Sequence, residues 1–158
     1  MIDAATVVGT WRMVSWKREF VETGDQIDSL GPDPIGFVTY TVDGRVHAMV
    51  VRSDREKPTA TPPSDAEKIR LFNSMLAYCG TYELFDDRVV HRPDASWNQI
   101  WTGTDQIRYF KFGGGQLQLW GPQSLDPYSG KQVVHRMTFE KWVGWAIDRS
   151  GGSRKKSP

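Results

Sequence analysis

The chain has 158 residues, 39% apolar and 12% aromatic, with seven tryptophans, and its twenty basic and nineteen acidic residues leave it at +1. That length holds one domain with a real core, and once the basic run Arg154–Lys156 is set aside no basic excess remains to hold nucleic acid. One cysteine excludes an internal disulfide and a cysteine-rich metal site. No apolar run reaches membrane-spanning length, and the N-terminus lacks the basic and apolar regions of a signal peptide, so a cytoplasmic protein is expected.

In chain order, Thr6–Phe20 alternates and is β-rich, long enough for a strand that bends or bulges midway. The stretch from Glu22 to Pro34 is turn-rich. Ile35–Thr41 and Arg45–Arg52 read as a hairpin around Val42-Asp43-Gly44. A polar loop with three prolines, Ser53–Pro63, follows. Ser64-Asp65-Ala66-Glu67 is a capping-box pattern, and Ile69, Phe72, Met75 and Leu76 place an apolar stripe on a helix over Ser64–Tyr78. Such a helix plugs or buttresses an open end of a sheet, or forms a lid over a ligand.

Tyr78–Phe85 and Arg88–Arg92 form the central hairpin, with Asp86-Asp87 as the turn and Pro93-Asp94 closing the return strand. Cys79, Thr81, Glu83 and Phe85 share one face; Gly80, Tyr82 and Leu84 share the other. Both faces mix apolar bodies with polar tips, the pattern of a cavity wall rather than of a strand on a dry core. After a loop holding Trp97 and Trp101, Asp105–Phe112 and Gln116–Gly121 pair around three glycines with no helix behind them, so no phosphate-binding loop is present. Lys131–Trp142 is the last strand. Residues 1–143 form one domain on this reading, and 144–158 a tail that is disordered or carried over from expression.

Eight strand candidates in sequential hairpins, with one helix between the third and fourth, predict an all-β fold: an eight-stranded antiparallel up-and-down barrel with one inserted α-helix near its mouth. A curved sheet wrapped on helices is the competing architecture, and it needs about three helices ahead of the sheet where one is visible. Eight strands leave an interior filled by side chains or roomy enough for one small ligand.

Several segments, in this order, carry a resemblance: Val8–Arg12, Gly31–Gly36, Tyr40–Arg45, Ala77–Tyr82, Val89–His91 and Ser96-Trp97. Together they resemble the lipocalin-like domain family of bacteria and fungi over roughly residues 6–142, which implies a calycin barrel. In the broader superfamily a Gly-x-Trp on the first strand closes the barrel base under a basic side chain of the last strand. Gly9 and Trp11 match it, with Arg136 the favoured partner and Lys141 the alternative, and the pair is structural. For function the resemblance implies either a carrier of apolar small molecules or a cofactor-free cyclase or isomerase of secondary metabolism, and it carries no transferable catalytic motif.

Candidate residues follow. Of His47, His91 and His135, all inside strands, His91 is favoured because it lies in the stretch that best matches the family. Their spacing fits no metal motif, and neither metal nor cofactor is expected, with a haem-type carrier as a third reading. Tyr40, Tyr78, Tyr82 and Tyr109 lie on or beside strands, and two of them are expected in a cavity wall. Glu83, if inward, needs a partner such as Arg108; the catalytic candidates are then His91 or Glu83 to move a proton and Tyr82 among the groups that stabilise an oxyanion. Arg52 and Arg108 suit a carboxylate or enolate oxygen. Trp97, Trp101 and Trp120 form a stacking rim or pack in core and loops, Met49 and Met75 suit an adaptable wall, and Cys79 and Thr81 complete it. The expected ligand is one small, largely apolar molecule with a few polar oxygens, and a homodimer is left open.

Overall fold

The computed structural model describes residues 4–127 and 129–144; the expected tail, apart from Gly144, lies outside the described residues. A short helix α1 (Ala4–Val7) precedes β1 (Gly9–Phe20), β2 (Gln26–Asp28), β3 (Ile35–Tyr40) and β4 (Arg45–Val51). Helix α2 (Asp65–Asn73) leads into β5 (Met75–Leu84), β6 (Arg88–Ser96), β7 (Gln106–Gly113), β8 (Gln116–Trp120), β9 (Ser124–Leu125) and β10 (Gln132–Lys141). Neighbouring strands pair antiparallel in the order β1-β3-β4-β5-β6-β7-β8-β10, and β10 returns to pair with β1. The result is a closed barrel in which each of the eight long strands has a neighbour on both sides. Two short strands, β2 inside the turn-rich stretch and β9 between β8 and β10, flank it on β1 and β10.

The expected irregularity in the first strand is a bulge at Val14, between the pairs Met13–Phe139 and Ser15–Thr138. A second bulge changes one expectation. The return strand does not stop at Pro93-Asp94: β6 runs on to Ser96, with Gly80 opposite Pro93 and Cys79 opposite Ala95. Asp94 is the extra residue, and it swings outward to an ion pair with Arg45. Proline lacks the N–H a ladder needs, and a bulge is where a strand tolerates it.

Tight turns sit at one end of the barrel and all long connections at the other. At the closed end Val7 is buried and accepts a 2.8 Å hydrogen bond from Trp11 Nε1. The cation over Trp11 is Lys141, its Nζ 4.4 Å from the ring and donating to the Val8 carbonyl. Arg136 is turned outward instead, where it pairs with Glu19 and lies over Trp120. Gly9 is fixed by two constraints: its φ of +122° and a built Cβ that would stand 2.7 Å from Lys141 Nζ.

Helix α2 lies at the open end. Ser64 accepts from the Glu67 amide while Glu67 reaches back to the Ser64 amide, the capping box read from the sequence. The helix ends at Asn73, five residues before the expected Tyr78. Met75 and Leu76 belong to β5, paired with Val51 and Val50, because β4 offers their backbone strand partners there. Nor does the helix plug the barrel. Ile69 stays 61% exposed and Phe72 45%, with Phe72 resting on Trp97, and the helix packs mainly on its own preceding loop.

Candidate functional site

Alternation sorts each strand into an inner and an outer row. The inner row of β5 is Leu76, Tyr78, Gly80, Tyr82 and Leu84, so Cys79, Thr81 and Glu83 face outward. Glu83 pairs with Arg92 at 2.8 Å, and Arg92 also reaches Asp105; the expected pairing of Glu83 with Arg108 is not made. His47, Met49 and Met75 are on the outer face too, Met49 at 54% exposure. Phe37, His47, Met49, Cys79 and Trp97 line a shallow groove of about 470 Å³ on that face. Trp120 stacks on Tyr109, ring centroids 6.1 Å apart, on another part of the exterior. Arg52, just past β4, pairs with Asp54 beside helix α2.

Inside the barrel the structure brings together Tyr40, Tyr78, His91 and Arg108. His91 is 1% exposed, Tyr40 1% and Tyr78 8%. The Tyr40 hydroxyl is 2.9 Å from His91 Nε2, and the Tyr78 hydroxyl is 2.6 Å from Nδ1. A neutral imidazole has one N–H and one bare nitrogen, so one phenol accepts from the ring and the other donates to it. Burial holds the His91 pKa down to about 3, with the nearby Arg108 charge acting in the same direction. Burial likewise raises both phenols above their ordinary value. The triad is therefore neutral at physiological pH. Tyr82 takes a separate role, its hydroxyl donating to the Thr41 carbonyl at 3.0 Å while its ring packs edge-on to Tyr40.

Arg108 carries the charge of this interior. Nη1 donates to its neighbour's carbonyl at Ile107, Nη2 to Gln106 Oε1 at 3.3 Å, and the guanidinium lies 5.9 Å from the Trp101 ring. Among the described residues no carboxylate pairs with it. Arg18, nearer the mouth, is different: its Nη1 donates to Asp126 Oδ1 at 2.6 Å.

Sequence reasoning named His135 without placing it in the cavity, and it passed over Trp16 and Ser29. Trp16 Nε1 donates to His135 Nδ1 at 3.1 Å, and Ser29 Oγ lies 3.3 Å from the same nitrogen. Nδ1 thus accepts, and the neutral ring carries its proton on Nε2. Partial burial lowers the His135 pKa, with Arg18 and Arg108 adding to the effect. The signal for this cluster was the alternation His135–Met137–Phe139, which sets one face of β10 against Trp16 and Met13 of β1.

The interior is packed rather than hollow. A void of about 30 Å³ remains among Met13, Trp16, Val50, Tyr78, Arg108 and Met137, enough for a water molecule. For proton transfer the arrangement offers little: Glu83 is outside, and both ring nitrogens of His91 are engaged by phenols, which also leaves neither free for an iron. What it offers is recognition, a cation with phenol and imidazole groups set in an apolar wall. Among the described residues no helix is long and apolar enough to cross a membrane, and no three His, Cys, Asp or Glu side chains converge as a metal set.

No curated protein matches the sequence. The family profile described as a lipocalin-like domain matches residues 8–142, a span running from just before β1 to just past β10. With most of its length and its closed eight-stranded barrel accounted for by that match, the chain belongs to the lipocalin-like domain family.

Proposed function

We propose that the barrel, taken as one domain over residues 1–143, binds a single small, largely apolar molecule that carries a few polar oxygens, and that it does so in the cytoplasm. The family supports ligand binding in general terms. The observation that carries the finer reading is Arg108, a guanidinium bordering the interior void with no carboxylate partner among the described residues. A cation held in an apolar wall is stabilised by an oxygen that brings opposite charge or a strong acceptor dipole. Tyr78 stands beside it, its hydroxyl held by His91 and still able to make a second hydrogen bond to another oxygen. Small-molecule sites have volumes of roughly 300–1,000 Å³, so admission of a ligand has to enlarge the void. Met13 and Met137 border it, and their unbranched side chains can swing aside at little cost.

Binding ranks above cofactor-free isomerisation because the two groups named as proton carriers, Glu83 and His91, lie on opposite sides of the barrel wall. Native mass spectrometry of protein purified gently from its source tests the reading. The expected result is one retained small mass on the wild-type chain that is lost in Arg108→Met. Protein that comes through empty under several gentle preparations contradicts a tight carrier.

A further inference from the structure

We propose that the groove between the loop after β4 and helix α2 is a second binding site, one that takes a small molecule through a phosphate group gripped between Arg55 and Arg70. It is independent of the barrel interior. The groove encloses about 500 Å³, within the range of small-molecule sites and far larger than the interior void. Its helix wall is the side of α2 and its cap that carries Glu67, Ile69, Arg70, Leu71, Asn73 and Ser74.

The walls are held apart by bonds at both ends. Arg52 N donates to the Ser74 carbonyl at 3.0 Å. At the far end one carboxylate ties loop to helix: Glu67 Oε1 accepts from Thr59 N and Oγ1 at 2.9 and 2.8 Å, and Oε2 from Ser64 N and Oγ at 2.8 and 2.9 Å. The groove is thus pre-formed, which removes the ordering cost of building it around a ligand.

The charges inside it are unevenly used. The Glu67 oxygens are filled by those four donors, and Asp54 is taken by Arg52 through a two-pronged contact of 2.8 and 2.5 Å. Arg55 is barely held: Nη2 reaches the Leu71 carbonyl at 3.4 Å and its Nε is buried with no hydrogen-bond partner. A buried unpaired donor on a charged group is costly. Arg70, on the opposite wall, makes no ion pair among the described residues. Among the described residues Glu56 is the one carboxylate on the groove with neither an ion pair nor a hydrogen bond, so the cationic grip is local and suits a small anion rather than a polyanion. Two guanidinium forks arriving from different walls match a tetrahedral oxyanion, which has acceptor oxygens for both; a planar carboxylate is filled by one. Pro58 and Leu71 give the rest of the molecule an apolar surface.

The test is NMR of the arginine Nε–H signals in the full ¹⁵N-labelled chain, titrated with inorganic phosphate at constant ionic strength against chloride. The expected result is a saturating shift of the Arg55 and Arg70 signals with Arg108 unmoved, and a loss of about tenfold in apparent affinity in Arg55→Gln and in Arg70→Gln. Both substitutions spare the Glu67 contacts that hold the loop. Shifts that stay linear with concentration, shifts of equal size in the two variants, or a saturating effect centred on Arg108 would each overturn the proposal.

Discussion

Gly80→Ala is expected to cost at least about 3 kcal/mol of folding stability, and to leave little folded protein if the barrel is only marginally stable to begin with. A Cβ built on Gly80 stands 2.1 Å from the Arg92 carbonyl oxygen and 2.7 Å from Pro93 Cα. Both are backbone, so no side chain can turn away to relieve the clash. The strands would have to part at the bulge that lets β6 carry a proline through the wall. Thr81→Ala, on the exposed face next door, is the control and should change stability by about 0.5 kcal/mol or less. Urea unfolding of both variants measures the difference. A Gly80→Ala protein within about 1 kcal/mol of wild type would contradict the close approach of β5 and β6.

The second large effect belongs to His91. Removing its ring in His91→Ala leaves the hydroxyls of Tyr40 and Tyr78 buried without their partner and opens a cavity beside them, for a combined loss of about 3–5 kcal/mol. The same residue makes stability depend on pH. In the unfolded chain the imidazole takes up a proton as pH falls through its ordinary 6.5; in the fold it resists until about 3. Between those values the unfolded state binds more protons, so stability rises with pH across the window. It is fully present above 6.5 and drains away as pH falls toward 3, with about 2 kcal/mol lost between pH 7 and pH 5. His135, also lowered, adds to the loss with the same sign, and Glu67, held down to about 2, acts only below its ordinary 4.5. His91→Gln keeps a donor and an acceptor but cannot titrate. Its unfolding free energy should fall by about 2 kcal/mol less than that of the wild type over pH 7 to 5, and an undiminished fall would contradict a buried neutral histidine.

Strand order and the presence of a barrel were legible because alternation and short turns are local signals. The capping box at Ser64–Glu67 was legible for the same reason. The end of α2 was not. Phe72, Met75 and Leu76 fit a helical stripe as well as they fit a helix end followed by a strand, and only the pairing of Leu76 with Val50 decides between them. Pro93 misled in a similar way, since what allows it inside a strand is a bulge across from Gly80. The site divides along the same line. The mixed faces of the central hairpin accompany an interior that holds Tyr78 and His91, though a packed one rather than an open cavity, and the sequence does not say which face is inner. Closure of the sheet sets that phase, turning Tyr78 and Tyr82 in and Cys79, Thr81 and Glu83 out. The same long-range pairing brings Trp16 and Ser29 to His135 from more than a hundred residues away.

Ligand binding inside the barrel is tested by a fluorescence titration with 1-anilinonaphthalene-8-sulfonate, an apolar aromatic that carries an oxyanion, on wild type, Arg108→Met and Met49→Glu. Met49 marks the outer groove, so the two variants separate the interior from the surface. Interior binding predicts one saturable site that weakens about tenfold in Arg108→Met and is unchanged in Met49→Glu. Full affinity in Arg108→Met together with loss in Met49→Glu would place the ligand outside the barrel and contradict interior binding.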